Sequence, residues 1–297
     1  MTYQPAPISE HQNTLPLLPG WVTAGKAESP EDVAFLSGAA LAHLHLVLNR
    51  EDLPQALLRN RLALRAAEAC VTRQGRPERA AELRDALAFL QPSDRPGPAG
   101  EVYRSWRRAV ALPVSVKILH LALPGIEVAQ ITTWLDAGQG TPVLRAAFVL
   151  QAVLAERPRD DATALILADA ALAQALGWTH LLPCVALGLK RGDLSKTGEE
   201  LRLACHRAVV ATTVAATREA TDLARHVTRL REIVPKLRAK GAEEAVTMFL
   251  NKDAVAPGDL ASLRSDRAAR RFCDRLVELG AVRELTGRDT FRLYGVS

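Results

Sequence analysis

The chain has 297 residues, of which 48% are hydrophobic and only 4% are aromatic. This length admits one large domain or two modest ones, and the apolar fraction is sufficient for a buried core. Ala, Leu and Arg dominate, whereas the β-branched and aromatic residues that build sheets are few, so the composition predicts a mainly α-helical protein. The net charge of +5 permits an acidic partner but does not require one.

Cysteine usage and the apolar stretches restrict the class of protein further. The first residues, 1–20, are polar and contain proline, so we expect a disordered lead without a signal peptide. The two most apolar stretches, 109–129 and 162–178, carry charged residues and prolines or an aspartate, so we expect a cytoplasmic protein without membrane contact. Four scattered cysteines form no Cys-x-x-Cys pair, and we therefore expect no metal and no cofactor: Cys70, Cys184, Cys205 and Cys273.

Residues 21–235 show helical patterns throughout and predict a helical bundle domain. Ser29 followed by Pro30, Glu31 and Asp32 is a helix start, because the hydroxyl caps the first turn and the acids oppose the helix dipole. Residues 91–100 are predicted to be a loop, and residues 114–121 fit a strand or a helix equally well. The remaining helices are expected at residues 30–49, 53–74, 77–90, 101–111, 126–135, 141–156, 160–176 and 198–234.

The last of these predicted helices, 198–234, carries a heptad-like seam of mostly small residues. Its positions recur with steps of four and three: Val209, Thr213, Ala216, Ala220, Leu223, Val227, Leu230 and Val234. Two interpretations remain open. The seam can belong to a dimerisation or signalling helix that links two domains, or it can pack inside its own domain. The second is favoured, because small residues suit close intramolecular packing as well as they suit a dimer.

Residues 236–297 predict a separate C-terminal module with the order of a winged helix-turn-helix. They carry twelve Lys and Arg against nine Asp and Glu, so much of the net charge lies here. Helices are expected at 242–250 and at 257–260, with a short extended piece at 254–255 between them. Ser265 caps a third helix that runs to Leu279, where Gly280 provides a left-handed stop.

The third helix of the module has opposed faces, and this pattern indicates a nucleic-acid contact. Apolar residues share one face: Ala268, Ala269, Phe272, Leu276 and Leu279. Arg267, Arg270, Arg271 and Asp274 lie on the other. A guanidinium can grip a phosphate or read guanine with two hydrogen bonds, so this face is predicted to be that of a recognition helix.

A hairpin is predicted directly after this helix and would form the wing. Residues 282–285 and 290–294 fit short strands, and residues 286–289 form a polar turn with Gly287. Arg288 at the tip and Arg292 on the second strand are candidates for contact with a phosphate or the minor groove.

Two resemblances add to this interpretation. The segment from Arg275 to Arg288 resembles the helix-to-wing junction of bacterial winged-helix regulators and of the winged helices that end many Fic-type proteins. Most of the chain resembles an uncharacterised bacterial family, domain of unknown function 1403, with its Leu-Pro-Gly-Trp start at 18–21 and its Arg-Leu-Tyr-Gly ending at 292–295. The first resemblance implies DNA binding. The second adds no function, because the family has no established activity.

No catalytic motif accompanies the module. The sequence contains no Fic motif, no Walker loop, no Gly-x-Gly-x-x-Gly and no His-Glu-x-x-His. Trp106, Trp134 and Trp178 are assigned to the core, although an aromatic ligand pocket in a sensor domain would use the same residues. We therefore expect a DNA-binding protein rather than an enzyme, either a transcriptional regulator or a plasmid- or replication-associated factor, with a possible homodimer. A protein-interaction adaptor of antitoxin type and an enzyme of unrecognised type remain as alternatives.

Overall fold

The structure, a computed structural model, describes residues 17–24, 29–91, 94–237, 239–288 and 290–296. Most of the predicted disordered lead, residues 1–16, lies outside this range. Within it, the chain is mainly helical and ends in one two-stranded antiparallel sheet. The mainly α-helical class with a small C-terminal hairpin is therefore confirmed.

The helices and strands are numbered in chain order. The first seven helices are α1 (Gly20–Ala24), α2 (Pro30–Leu48), α3 (Gln55–Arg73), α4 (Ala80–Ala88), α5 (Gly97–Ala111), α6 (Val116–Ala122) and α7 (Val128–Asp136). They are followed by α8 (Pro142–Glu156), α9 (Asp161–Ala175), α10 (Cys184–Gly188), α11 (Gly198–Ile233), α12 (Ala242–Asn251) and α13 (Asp266–Glu278), and then by strands β1 (Val282–Glu284) and β2 (Tyr294–Val296).

Several helix boundaries follow the capping chemistry. At the start of α2 the Ser29 hydroxyl accepts from the Asp32 backbone N–H, and the Asp32 carboxylate accepts from the Ser29 backbone N–H. The segment that fitted a strand or a helix forms α6. The predicted loop at 91–100 is too long, because α5 already begins at Gly97 and places Pro98 in its first turn, where proline needs no N–H partner.

Helix α9 is the centre of the helical part. Twelve consecutive residues, Ala162–Ala173, are buried, and α3, α5, α7, α8 and α10 all contact this helix. A helix that is apolar on every side is stable only when other elements surround it. The near-continuous apolar pattern had predicted this central position.

The one charged residue within this buried stretch, Asp169, holds α10 in place. Its carboxylate accepts from the backbone N–H groups of Val185 at 2.7 Å and Ala186 at 3.1 Å, in the first turn of α10. Arg73, also buried, donates to the carbonyls of Ala186 and Leu189, both at 3.0 Å. Both ends of this short helix are therefore tied to charged groups, which offsets part of the cost of burying them.

The long helix α11 packs inside its own chain. Val209, Thr213, Ala216, Ala220, Leu223, Val227 and Leu230 are all buried, and α2, α8 and α10 contact this helix. The favoured interpretation of the seam, intramolecular packing, agrees with this burial. The last position of the predicted seam, Val234, lies just beyond α11 and is only partly buried.

Helix α2 is the one helix in the described residues that is long and apolar enough to cross a membrane, with 19 residues and a mean hydropathy of 1.3. The buried core helix of a globular protein passes the same test of length and composition. Here Val33, Ala40, Leu44 and Val47 are buried, and α2 contacts α11. The Ser37 hydroxyl joins the two helices through a hydrogen bond of 2.5 Å to His206 Nδ1.

Arg61 on α3 joins the C-terminal elements to the helical part. Its guanidinium contacts the carboxylate of Glu219 on α11 at 2.9 Å and that of Asp253, just after α12, at 3.2 Å. It also donates to the carbonyl of Val296 at the end of β2. The planar guanidinium carries five N–H donors, so it can contact these three acceptors at once. One side chain therefore holds the segment after α12 and the end of β2 against α3 and α11.

The close approach of α10 to α11 makes one glycine a sensitive position. A Cβ atom on Gly188 would lie 2.2 Å from the Ala208 carbonyl oxygen and 2.4 Å from its Cα. We expect Gly188→Ala to lower the free energy of unfolding by about 1–3 kcal/mol, because backbone cannot yield as a side chain can. Gly192→Ala, where nothing lies within 4 Å of the added Cβ, is the matched control. Equal urea midpoints for the two variants would contradict the packing described.

The buried carboxyl also predicts a pH dependence. Burial raises the pKa of Asp169 to about 7, and the backbone N–H groups of Val185 and Ala186 oppose this shift. The folded protein keeps this proton up to about pH 7, whereas the unfolded chain loses it near pH 4, so the contribution of Asp169 to stability falls as pH rises between these values. The expected slope reaches about 1.4 kcal/mol per pH unit.

Urea unfolding from pH 4 to pH 8 measures this slope. Asp169→Asn removes the titrating group and is expected to flatten the profile, whereas Asp222→Asn, at an exposed site, keeps the wild-type shape. Parallel profiles for the wild type and Asp169→Asn would show that Asp169 titrates at its ordinary pKa.

Candidate nucleic-acid interface

Helix α13 carries most of the predicted contact residues and is held by its apolar face. Ala269, Phe272, Cys273 and Leu276 are buried. Ser265 caps the helix by accepting from the Ala268 backbone N–H at 3.2 Å, and Gly280 follows its end with φ +65°. Capping and the left-handed stop are both where the sequence predicts them.

The elements around α13 follow the predicted order, but the helix expected at 257–260 is reduced to one turn and the second strand is displaced. Residues 257–259 form a single 3-10 turn, and Val255 pairs with Tyr294 in an isolated antiparallel bridge. β1 pairs with β2 in the register Val282 with Val296 and Glu284 with Tyr294. The second strand was predicted at 290–294, which is wrong, because Phe291 has φ +56° and this conformation interrupts an extended run.

The structure separates the six predicted contact residues into three groups. Arg267 and Arg271 are exposed on α13 and form no ion pair with any other described residue. Arg270, Asp274 and Arg292 line a common cleft, and Arg288 lies against the helical part. The helical periodicity correctly places four of them on one face of α13: Arg267, Arg270, Arg271 and Asp274. Which of them line the cleft and which stay outside it depends on tertiary contacts.

The cleft lies between α13 and the hairpin and has a volume of about 520 Å³. Asp266, Arg270 and Asp274 line one wall, because they are four residues apart along α13. Arg270 pairs with Asp266 at 2.8 Å, and the Tyr294 hydroxyl donates to Asp274 at 3.4 Å. Two arginines and two aspartates therefore balance each other here.

The charges that line the cleft balance, whereas Arg267 and Arg271, outside it, form no ion pair with a described residue. An exposed ion pair such as Arg270 with Asp266 contributes less than about 1 kcal/mol to stability. A phosphate that binds Arg270 would therefore displace Asp266 at a small cost in free energy. Arg267 and Arg271 need break no ion pair with a described residue. The part of α13 with uncompensated positive charge is therefore its outer, N-terminal half.

The tip of the hairpin does not extend freely into solvent. Arg288 contacts the carboxylate of Asp85 at 3.3 Å, and its guanidinium lies 5.9 Å from the centre of the Phe89 ring. Phe291 packs edge-on against the same ring at 5.9 Å. We call these contacts, together with the hydrogen bond from Arg84 to the Leu285 carbonyl at 3.0 Å, the wing latch.

Sequence reasoning missed the wing latch because its partners lie about 200 residues apart in the chain. Asp85 and Phe89 follow the ordinary helical pattern of α4 and its end, and nothing in their neighbours marks them as partners of Arg288. The prediction that Arg288 can reach DNA therefore needs a correction: this side chain must first leave Asp85 and Phe89.

The helical part contains a buried serine–histidine pair, Ser37 with His206. The Ser37 hydroxyl lies between two partners, the Ala34 carbonyl at 2.9 Å and His206 Nδ1 at 2.5 Å, and Nδ1 donates or accepts according to the histidine tautomer. Among the described residues, no group of three or more His, Cys, Asp or Glu side chains is placed to hold a metal ion. All four cysteines are buried thiols.

The comparison with family models identifies the chain. A model described as a protein of unknown function, DUF1403, matches residues 6–296. The chain belongs to the DUF1403 family. This match confirms the resemblance seen at 18–21 and 292–295. A comparison with curated proteins finds no match. The family description names no activity, so the function of this DUF1403 protein must be argued from its own geometry.

The wing latch predicts how one substitution changes the hairpin. Asp85→Asn removes the carboxylate that holds Arg84 and Arg288, and we expect the hairpin to open more often because a charged partner of two arginines is lost. The hydrogen bond from the Leu285 N–H to the Leu293 carbonyl, at 2.8 Å, reports this opening.

Hydrogen exchange measures this opening directly. The Leu285 amide is expected to exchange about tenfold faster in Asp85→Asn, which corresponds to about 1.4 kcal/mol. Asp222→Asn removes a carboxylate from an exposed pair elsewhere and leaves this amide unchanged. Unchanged exchange in Asp85→Asn would mean that the latch contributes nothing to the hairpin.

Proposed function

We propose that residues 236–297 form a winged helix-turn-helix that binds duplex DNA, with α13 as its recognition helix. The chain would then act as a transcriptional regulator or as a plasmid- or replication-associated factor. The observation that carries the proposal is the outer face of α13, where Arg267 and Arg271 are exposed and unpaired among the described residues while the opposite face is buried.

The order of the C-terminal elements supports a winged-helix assignment. The elements follow each other in the order α12, Val255, the turn at 257–259, α13 and the hairpin of β1 and β2. Val255 bridges to Tyr294 and so adds a third strand position beside β2. In this arrangement the N-terminal half of the last helix enters the major groove. That half is where the open arginines of α13 lie.

The electrostatics also favour a nucleic acid. Each phosphate that an arginine neutralises releases bound counterions, so the affinity falls with salt by a slope of about −0.9 per contact. Arg267, Arg270 and Arg271 offer three such contacts, one of them after exchange of Arg270 from Asp266. Asp274 on the same face disfavours phosphate nearby and can accept from the exocyclic amine of cytosine.

Binding of full-length protein to a fluorescent duplex pool across a salt series tests the proposal. We expect Arg267→Ala/Arg270→Ala/Arg271→Ala to lose at least tenfold in affinity at low salt and to reduce the salt slope by about 2 to 3. Arg107→Ala/Arg218→Ala/Arg225→Ala is the matched control, because it removes the same charge from exposed positions of α5 and α11. Equal affinities for the two triple variants, both folded by circular dichroism, would refute the assignment.

A protein-interaction adaptor is the second candidate, and one observation favours it. Trp21 and Phe35 stack at 5.7 Å and are 54% and 66% exposed, and Leu46 on α2 is also 66% exposed. An exposed, stacked pair such as Trp21 with Phe35 is the kind of apolar surface that contact with another protein covers. Absence of any salt-sensitive DNA binding in the wild type would support this candidate instead.

A further inference from the structure

A second cleft lies where the helical part meets the end of α12. It has a volume of about 550 Å³, within the usual range for small-molecule sites. Residues from α2, from α3 and from the segment 177–182 line it, together with Asn251, the last residue of α12. Its polar side chains come from His45, Asn49, Gln55, Arg59, Thr179, His180 and Asn251.

The charge of this cleft is uncompensated. Arg59 is half-buried, and its Nε donates to the Val110 carbonyl at 3.1 Å. Its two terminal nitrogens form no hydrogen bond with a described residue. His180 lies close enough that Arg59 adds to burial in lowering the pKa of His180. None of the lining residues is acidic. A half-buried guanidinium beside an imidazole without a carboxylate is unfavourable unless an anion balances it.

An aromatic side chain adds an apolar surface to the same cleft. Trp178 lines it, and its indole Nε1 donates to His45 Nδ1 at 3.0 Å, which fixes the ring. Trp106 and Trp134, by contrast, are fully buried in the core. Of the three tryptophans considered as pocket residues from the sequence, only Trp178 reaches this cleft. Leu48, Ala56 and Leu182 extend the apolar lining.

We propose that this cleft binds a small organic oxyanion, a carboxylate or a phosphate ester, with its charge between Arg59 and His180 and its apolar part on Trp178. Such a ligand would accept two hydrogen bonds from the guanidinium, as carboxylates and phosphates do. This site is distinct from α13 and does not depend on DNA binding.

Calorimetric titration of the full-length protein with inorganic phosphate, phenyl phosphate and benzoate tests the proposal, with tryptophan fluorescence as a second signal. We expect phenyl phosphate to bind more tightly than inorganic phosphate, because its ring packs on Trp178. Arg59→Gln is expected to weaken binding at least tenfold, and Arg59→Lys to retain part of it. Arg107→Gln removes an exposed arginine outside the cleft and leaves binding unchanged.

His180→Gln keeps the test decisive if Arg59→Gln fails to fold, because His180 forms no hydrogen bond with a described residue. We expect several-fold weaker binding in this variant, with thermal unfolding like that of the wild type. Dissociation constants above about 10 mM for all three probes would overturn the proposal. Equal binding by the wild type, Arg59→Gln and His180→Gln would overturn it as well. The duplex assay is independent of either result.

Discussion

The burial of α9 on every side is the constraint on which the helical part depends. Twelve buried residues in succession leave this helix no face for solvent, so neighbouring helices must surround it. Such a helix tolerates a charge only where partners are built in, and Asp169 has them in the first turn of α10. Arg73 completes the arrangement from α3, and the turn-rich segment after α9 thereby becomes an ordered part of the core.

A second polar group determines how the C-terminal elements stand on this core. Arg61 joins α3 to Glu219, Asp253 and the end of β2, so the orientation of α13 is transmitted through the hairpin to the helical part. Asn60 adds a hydrogen bond of 2.8 Å to the Asn251 carbonyl. The proposed oxyanion cleft adjoins this joint, because Asn251 is one of its lining residues.

The sequence was informative wherever the determinant was local. The cap at Ser29, the cap at Ser265, the stop at Gly280 and the all-apolar α9 each depend on residues within one or two turns, and the structure agrees with all four. The candidate face of α13 was found from the same periodicity. The second strand was misplaced because the backbone at Phe291 turns to positive φ, which no neighbouring residue requires.

Contacts between distant parts of the chain could not be predicted in this way. The wing latch, the three partners of Arg61 and the cleft shared by Arg59 and His180 each bring together residues more than a hundred positions apart. A single sequence carries periodicity and capping signals, which are local, but it does not say which charged side chains meet. The distant partners of a site residue can therefore be identified only from the packed structure.

In the proposed DNA complex, Arg288 would have to leave its place in the wing latch. A side chain that pairs with Asp85 cannot also neutralise a phosphate, so DNA and α4 would compete for it. By thermodynamic reciprocity, a stronger contact between Arg288 and α4 would weaken the proposed DNA binding by the same factor by which bound DNA would weaken that contact. Helix α4 contacts α3 and α5, so the helical part would register whether the C-terminal module is occupied.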